Sequence, residues 1–287
     1  MAGNSDLLIR FLLSESKTRG AVIRADAIFR AAADIHGLMG TPLDLLGQTL
    51  VASILLLSIS KGGTRQVLQI DGSEQGNHPI RRILAEARSG YVRGYIDWNE
   101  GITMLGKQQT HHGLDAWLGM PIKVSTVRDL GFGQPYVSII EHDSAYLADQ
   151  LVHYLQKSVQ INADLVLLNQ TGLLIEAMPG CKNDDWFKAV EAMARIPDRI
   201  LASQQPLAIL EHFSNLGCKV VGQDSYRYHC PCNADTLRAA LASLDAEELE
   251  ELSDEHGRIR IACQYCNREY KLSLEEPQAS ETHSNLG

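Results

Sequence analysis

Four cysteines near the C-terminal end of this 287-residue chain have the spacing of a metal site. A Cys-Pro-Cys sequence starts at Cys230, a Cys-x-x-Cys sequence starts at Cys263, and thirty residues separate the two pairs. Two close pairs brought together by one chain crossing supply the four soft ligands that Zn²⁺ holds as a tetrahedron. The sequence therefore predicts one zinc ion per chain, bound by Cys230, Cys232, Cys263 and Cys266.

Thiolate ligands can be oxidised, so such a site can also act as a switch. Structural zinc contributes roughly 10–16 kcal/mol of apparent binding energy in small modules. A module of about sixty residues has a marginal core, so we expect it to lose its fold when oxidation to disulfides ejects the metal. Pro231 stiffens the first pair and removes a backbone N–H donor, which predicts that this pair is the more easily oxidised. From spacing alone, a purely structural zinc ribbon remains the favoured interpretation.

The other two cysteines, Cys181 and Cys218, match no ligand spacing and are expected to be inert thiols. The N-terminal sequence lacks the basic and apolar regions of a secretory signal, so we expect a cytoplasmic protein. In a reducing cytosol, cysteines indicate metal or redox chemistry rather than permanent disulfides.

Charge and motifs argue against several other functions. The net charge is −9, and residues 226–287 carry six Lys/Arg against twelve Asp/Glu, which disfavours a nucleic-acid-binding ribbon. The most apolar window, residues 50–59, is about half the length of a membrane span and indicates a buried helix. We find no P-loop, no HExxH and no GxSxG sequence, so an enzyme is not expected.

The elements that must position the cysteines fall into three segments. Residues 1–178 alternate strand-like and helix-like patterns in irregular order, which predicts an α+β domain. A change of composition at Met178-Pro179-Gly180 marks a boundary, after which residues 179–225 are predicted to form a helical linker and residues 226–287 a small zinc-binding domain. Strands are predicted at 7–13, 21–24, 66–71, 91–97, 122–127, 136–141, 164–169 and 173–178, and helices at 25–36, 41–59 and 144–157.

The linker contains two amphipathic helices, predicted near residues 183–196 and 206–216. We expect their apolar faces to pack on the first domain in the resting protein. The residues that define these faces are Trp186, Phe187, Met193, Leu207, Leu210 and Phe213.

The last segment has the pattern of a zinc ribbon. A helix is predicted at 235–244, and Asp245 followed by Glu248 predicts a capping box at the start of a second helix. Strands at 258–262 and 269–274 flank the second cysteine pair, and Asn267 follows Cys266 where a residue tolerant of positive φ is needed.

Taken with these motifs, the sequence resembles the redox-regulated holdase chaperones of bacteria, the thirty-three-kilodalton heat-shock protein or chaperonin family. The resemblance extends over nearly the full length and is most specific at HCPC and ACQYCNREY. Supporting stretches are LLIRFLLSESKTRGAVIR, LVASILLLSISKGGTRQVLQIDG and IPDRILASQQPLAILEHF.

This resemblance implies a function that spacing alone does not. Family members are cytoplasmic and are inactive when reduced and zinc-bound. Oxidation links neighbouring cysteines, here Cys230 with Cys232 and Cys263 with Cys266, after which zinc leaves and the C-terminal module unfolds. The linker then loosens and exposes apolar surface that holds unfolding clients without ATP, commonly as a homodimer, before handover to ATP-dependent foldases. We expect the six linker residues named above to contact clients or to cover a client site.

Overall fold

The computed structural model describes residues 5–75, 77–99 and 113–273. The chain divides into two compact units, Met1–His229 and Cys230–Gly287. The strands of the first unit are β1 (Asp6–Leu13), β2 (Thr18–Arg24), β3 (Arg65–Asp71), β4 (Ile80–Arg88), β5 (Tyr91–Trp98), β6 (Lys123–Asp129), β7 (Tyr136–Glu141), β8 (Ala163–Leu168), β9 (Thr171–Ala177) and β10 (Cys218–Tyr228). Its α-helices are α1 (Asp26–His36), α2 (Thr41–Ile59), α3 (Leu114–Leu118), α4 (Leu147–Tyr154), α5 (Asn183–Ala194), α6 (Asp198–Ser203) and α7 (Pro206–Leu210).

The strands of the first unit form one ten-stranded sheet in the order β7-β6-β3-β4-β5-β10-β1-β2-β9-β8. Neighbouring strands are antiparallel, except that β10 pairs with β5 in parallel through Arg227 and Tyr228. This arrangement confirms the predicted α+β class, because a sheet of strand–helix–strand crossovers would be parallel throughout.

Helix α2 is the core helix of this unit. It is long and apolar enough by composition to cross a bilayer, but 67% of that apolar window is buried inside the protein. Leu50 and Ile54 are fully buried, and the helix contributes most of the apolar layer between the sheet and α1. Packing on all sides explains why the sequence of α2 is apolar all round.

Apolar side chains cover both faces of the sheet. On one face, α1, α2 and α4 pack over the larger core. On the other face, α5, α6, α7 and the 3₁₀ segment Glu211–Leu216 cover strands β1, β2 and β9. The covered strand residues, which alternate with those of the first core, are Ile9, Phe11, Leu13, Val22, Leu173 and Ile175.

The predicted linker differs from this structure at its end. Its helices end at Leu216, and the remaining residues begin β10, which lies inside the sheet between β5 and β1. Thus residues 179–225 are not helical throughout, because Cys218 starts a strand that pairs with Leu13. The boundaries at residues 178 and 225 stay predictions.

The second predicted linker helix is also shorter than expected. Helix α7 ends at Leu210 and continues as a 3₁₀ segment. Its buried stripe is Pro206, Ile209, Leu210 and Phe213, with helical i, i+3, i+4, i+7 spacing. Leu207 lies off that stripe and is 54% exposed, so it does not share a face with Leu210 and Phe213 as predicted.

The second unit contains α8 (Ala234–Leu241), α9 (Ala246–Leu252), β11 (Arg258–Ala262) and β12 (Glu269–Ser273). The capping box of Asp245 and Glu248 at the start of α9 is confirmed. Within the described residues of this unit, the fully packed core consists of Leu241, Ile259 and Leu272. A core of this size supplies little stability of its own. The end of the predicted domain, from residue 274, lies outside the described residues.

Candidate metal centre

The second cysteine pair lies in the turn of the β11–β12 hairpin. The amide N–H of Cys263 donates to Arg268 O over 2.9 Å, and the N–H of Asn267 donates back to Cys263 O over 2.8 Å. Asn267 has φ of 53°, as the sequence pattern predicted. These bonds fold the turn tightly, so that Cys263 and Cys266 present their sulfurs from one side of it.

The first pair follows directly after His229 and precedes α8. Asn233 accepts a hydrogen bond from the N–H of Thr236 over 2.8 Å and so fixes the start of α8. Tyr270, on β12, donates its hydroxyl hydrogen to Cys232 O over 3.0 Å. The β11–β12 hairpin therefore contacts the loop of the first pair through the Tyr270 side chain. The sulfurs of the two pairs also lie close together.

The four sulfurs converge. Cys230 Sγ lies 3.7 Å from Cys263 Sγ, and Cys232 Sγ lies 3.3 Å from Cys266 Sγ. The four Sγ atoms are all within 4.8 Å of one another. A tetrahedral zinc site with Zn–S bonds of about 2.3 Å has edges of about 3.8 Å, which this arrangement matches.

The acidity of the thiols depends on their neighbours. Burial alone raises the pKa of Cys232, but hydrogen bonds from Tyr270 and the neighbouring thiols outweigh it and lower this pKa to about 7. Burial instead raises the pKa of Cys266 to about 12 and also raises that of Cys263. Without a cation, four thiolates this close cannot all stay ionised, so the donor set fits a divalent metal that compensates their charge.

Sequence reasoning missed Tyr270 as a member of the site. Its hydroxyl lies 3.2 Å from Cys232 Sγ and also accepts from Arg268 Nη1 at 3.3 Å. Residues of this kind, which touch the ligands rather than the metal, orient the site. Spacing could not reveal it, because the contact exists only once β12 lies beside the first cysteine pair.

The remaining cysteines are not drawn into the cluster. Cys181 Sγ donates to Ser16 O over 3.1 Å, and burial raises its pKa, as it does for Cys218. A raised pKa keeps both thiols protonated and poorly reactive near neutral pH. Among residues 5–75, 77–99 and 113–273, only the four-cysteine cluster brings three or more metal-ligating side chains together.

The six linker residues are divided between the interior and the surface. Met193, Leu210 and Phe213 are buried against the sheet, and Trp186 is partly buried beside them. Phe187 is 66% exposed and Leu207 is 54% exposed. The first group covers strand residues, whereas Phe187 and Leu207 already face solvent.

Fold and site together define an α+β protein with a small C-terminal module built around a four-cysteine cluster that could hold a metal ion. A family model described as "Hsp33 protein" matches residues 6–273. The chain belongs to the Hsp33 family, which is a family of chaperones, and the resemblance found in the sequence is thereby confirmed.

Individual relatives agree with this assignment. The chain is 26% identical to the 33 kDa chaperonin of Bacillus subtilis, and the match covers 94% of this chain and 96% of that protein. It is also 26% identical to the 33 kDa chaperonin of Trichodesmium erythraeum, over 95% of this chain and 92% of that one. The fold is similar to the crystal structure of the 33 kDa chaperonin (heat shock protein 33 homolog) from Thermotoga maritima, with a TM-score of 0.77, 24% identity, and coverage of 94% and 95%.

Proposed function

We propose that this chain is a redox-regulated, ATP-independent holdase that binds unfolding proteins during oxidative stress. In this proposal it is inactive when reduced and zinc-bound, and disulfide formation with zinc release activates it. The observation that carries the proposal is a sulfur tetrad within 4.8 Å, placed in a unit with only a small described core. Such a unit depends on its ligands for its fold.

One zinc ion per chain fits the four sulfurs. When bound, it would supply the positive charge that keeps all four sulfurs deprotonated and ties the first pair to the β11–β12 hairpin. Cys230, Cys232, Cys263 and Cys266 would be its ligands, with Tyr270 holding Cys232 in place.

Oxidation would remove this support through the sulfurs themselves. Each disulfide joins two thiolates and passes two electrons to an oxidant such as peroxide or hypochlorite. We propose that Cys230 pairs with Cys232 and Cys263 with Cys266. We propose that the first pair reacts first, because Pro231 stiffens its loop and removes a backbone N–H donor.

Loss of the C-terminal fold would reach the first unit through β10, which ends at Tyr228, shortly before Cys230. β10 pairs with β1 along most of its length but with β5 only at Arg227 and Tyr228. His229 adds one hydrogen bond, from its N–H to Val92 O over 3.0 Å. The Tyr228 hydroxyl also donates to Gly94 O over 2.6 Å and lies 2.9 Å from His36 Nε2, so this end of β10 is held by its neighbours. We propose that these contacts break after the C-terminal unit unfolds, and that fraying then moves along β10 towards the linker.

Release of the linker would expose apolar surface for clients. The sheet residues covered by the linker form one continuous apolar face on β1, β2 and β9. Exposed patches of this kind bind other proteins. We propose that Met193, Leu210, Phe213 and Trp186 cover this face at rest, and that Phe187 and Leu207 extend the client-contacting surface after release.

The protein would work in the cytoplasm, form a homodimer when oxidised and hand its clients to ATP-dependent foldases. It would have no catalytic activity and would need neither nucleic acid nor a membrane.

The experiment is an aggregation assay with a heat-labile client, run with reduced, zinc-loaded protein and with peroxide- or hypochlorite-treated protein. The proposal predicts suppression of aggregation only after oxidation. Equal behaviour of the two forms would instead support a constitutive structural zinc ribbon.

A further inference from the structure

Two side chains of the sheet bond to consecutive carbonyl groups near the end of helix α6 in the linker. The Thr171 hydroxyl donates to Leu201 O over 2.6 Å. Arg24 Nη1 donates to Ala202 O over 2.5 Å. Arg24 ends β2, Thr171 begins β9, and the two residues lie directly opposite each other in the strand register. Directly opposite residues point to the same face of a sheet, so this pair forms one contact surface for α6.

The bonds satisfy carbonyl groups that the helix itself leaves unpaired. The last carbonyl groups of a helix have no partner within it and must find one elsewhere. In α6, Ile200 O accepts from the N–H of Gln204 over 2.9 Å, and the sheet supplies the donors for the next two carbonyl groups. Thr171 is 1% exposed and Leu201 is 3% exposed, so water cannot easily replace the hydroxyl. Loss of this donor would leave a buried carbonyl group without its partner, which is costly.

A carboxylate holds the second donor in place. Arg24 Nε donates to Asp26 Oδ2 over 2.8 Å, while Nη1 of the same guanidinium group reaches Ala202 O. The side chain of Arg24 is only 14% exposed. Arginine side chains commonly bond to the last carbonyl groups of a helix, and the forked guanidinium group can bind two acceptors at once.

These bonds give the linker a direction that its apolar contacts do not. Met193, Leu210 and Phe213 are buried against the sheet, but burial of apolar surface is non-directional and does not select one position of a helix. Hydrogen bonds have narrow limits of distance and angle. Since α6 lies between α5 and α7 along the chain, fixing its end also restrains the helices on either side of it.

We propose that Arg24 and Thr171 form an autoinhibitory contact, which holds α6 in place over the apolar face of β1, β2 and β9 in the resting protein. Both residues and α6 lie in the first unit, whereas the four cysteines lie in the second. The contact therefore acts separately from the metal ligands: the linker must still break it after β10 has frayed. Its inhibitory role rests on the function proposed above, whereas its positioning of α6 does not.

The first test is hydrogen exchange of reduced, zinc-loaded full-length protein, followed by mass spectrometry in the peptide that covers residues 198–204. Thr171→Val keeps the shape of the side chain and removes the hydroxyl, so exchange in this peptide should become about tenfold faster. Thr171→Ser retains a hydroxyl and should restore the parental rate. Thr49→Val is the matched control, since Thr49 is also buried and its hydroxyl donates to Leu45 O within α2 over 2.7 Å.

The second test is client holding by the same reduced proteins. Metal analysis first verifies that each still carries its zinc. Thr171→Val should suppress aggregation of a heat-labile client without oxidant, whereas Thr171→Ser and Thr49→Val should stay inactive until oxidised. If Thr171→Val does not fold, Arg24→Gln replaces it, with the same expected results.

The outcomes separate this contact from the proposed function. Exchange in residues 198–204 that stays at the parental rate in Thr171→Val and Arg24→Gln, or that rises equally in Thr49→Val, overturns the contact. Faster exchange without client holding by the reduced variant overturns its inhibitory role, provided that the oxidised parent holds clients. If the oxidised parent holds none, the proposed function fails, and the exchange rates still decide whether Arg24 and Thr171 position α6.

Discussion

Phe213 in the linker stacks on Phe11 of β1, with ring centroids 5.6 Å apart and ring planes inclined by 27°. Both side chains are fully buried. Offset aromatic stacking adds roughly 0.5–1.5 kcal/mol to the burial of the two rings. This pair joins the linker to the strand whose apolar face we propose as the client site.

The first prediction concerns this pair. Replacing Phe213 with alanine removes a buried ring and weakens the linker cover by about 3–5 kcal/mol. The reduced, zinc-loaded Phe213→Ala protein should therefore suppress client aggregation without oxidant, measured by light scattering. Phe187→Ala is the control, because Phe187 is exposed and its loss leaves the cover intact. If Phe213→Ala is destabilised in urea yet stays inactive when reduced, the linker does not hide the client site.

The second prediction concerns the hydroxyl of Tyr270. Its removal in Tyr270→Phe takes away the oxygen that lies within hydrogen-bonding distance of both Cys232 Sγ and Cys232 O, so zinc affinity should fall by about tenfold, as is common for residues that orient metal ligands. In the zinc-free protein the pKa of Cys232 should rise above its value of about 7, because a bond that stabilises the thiolate is lost. Chelator competition and the pH dependence of alkylation measure the two effects. Tyr136→Phe, at an exposed site on β7, should change neither, and equal behaviour of both variants would remove Tyr270 from the site.

The third prediction separates the cysteines. Cys232→Ser removes one ligand and should leave the purified protein without tightly bound zinc, because three thiolates no longer complete the tetrahedron. Cys181→Ser should keep one zinc per chain and normal activation, since Cys181 lies outside the cluster. Metal analysis of the two purified proteins provides the measurement. Loss of zinc in Cys181→Ser would contradict the proposed ligand set.

The fourth prediction is the pairing of disulfides. We expect Cys230–Cys232 and Cys263–Cys266, with the first forming earlier because Pro231 removes a backbone N–H donor beside that pair. The alternative is specific, since the short sulfur contacts join Cys230 to Cys263 and Cys232 to Cys266. Peptide mapping of the oxidised protein by mass spectrometry, sampled over time, distinguishes the two. If disulfides between Cys230 and Cys263 and between Cys232 and Cys266 were the main product, the pairing within each motif would be refuted.

The fifth prediction concerns acid stability. The pKa of Glu86 is lower in the folded state than its ordinary value of 4.5, so Glu86 stabilises the fold above that value and loses this contribution as pH falls through the folded pKa. Glu86→Gln should therefore flatten the loss of stability below about pH 4.5, relative to the parent. Denaturant unfolding at a series of pH values measures this slope. An unchanged slope would mean that Glu86 gains nothing from its ion pairs with Arg65, Arg88 and Arg93.

The four-cysteine cluster could be predicted from sequence because its members form a local pattern. Cysteine pairs, the capping box at Asp245 and the turn residue Asn267 are set by short-range chemistry, and the structure places them as expected. The apolar α2 and the stripe of Leu147, Leu151 and Leu155 are equally local signals. These patterns could not reveal Tyr270, whose role depends on a long-range contact between β12 and the loop of the first cysteine pair.

Two strands, β4 and β10, were not predicted from the sequence, and each has a physical reason. β4 contains Arg, Leu, Ala and Glu, which are strong helix formers, and only its pairing with β3 and β5 makes it extended. β10 is largely exposed, so it lacks the alternation of buried and exposed side chains that marks a strand. Its place between β5 and β1 is a long-range pairing, which no local window contains.

The most direct test follows zinc, thiols and client holding together in one oxidation time course. A zinc-sensitive dye, a thiol count and a client aggregation assay should be sampled from the same hypochlorite-treated protein. The account predicts that one zinc per chain is released as the four cluster thiols disappear, and that client holding appears with the same time course and is reversed by reduction. Retention of zinc and of the C-terminal fold after all four sulfurs are oxidised would contradict it.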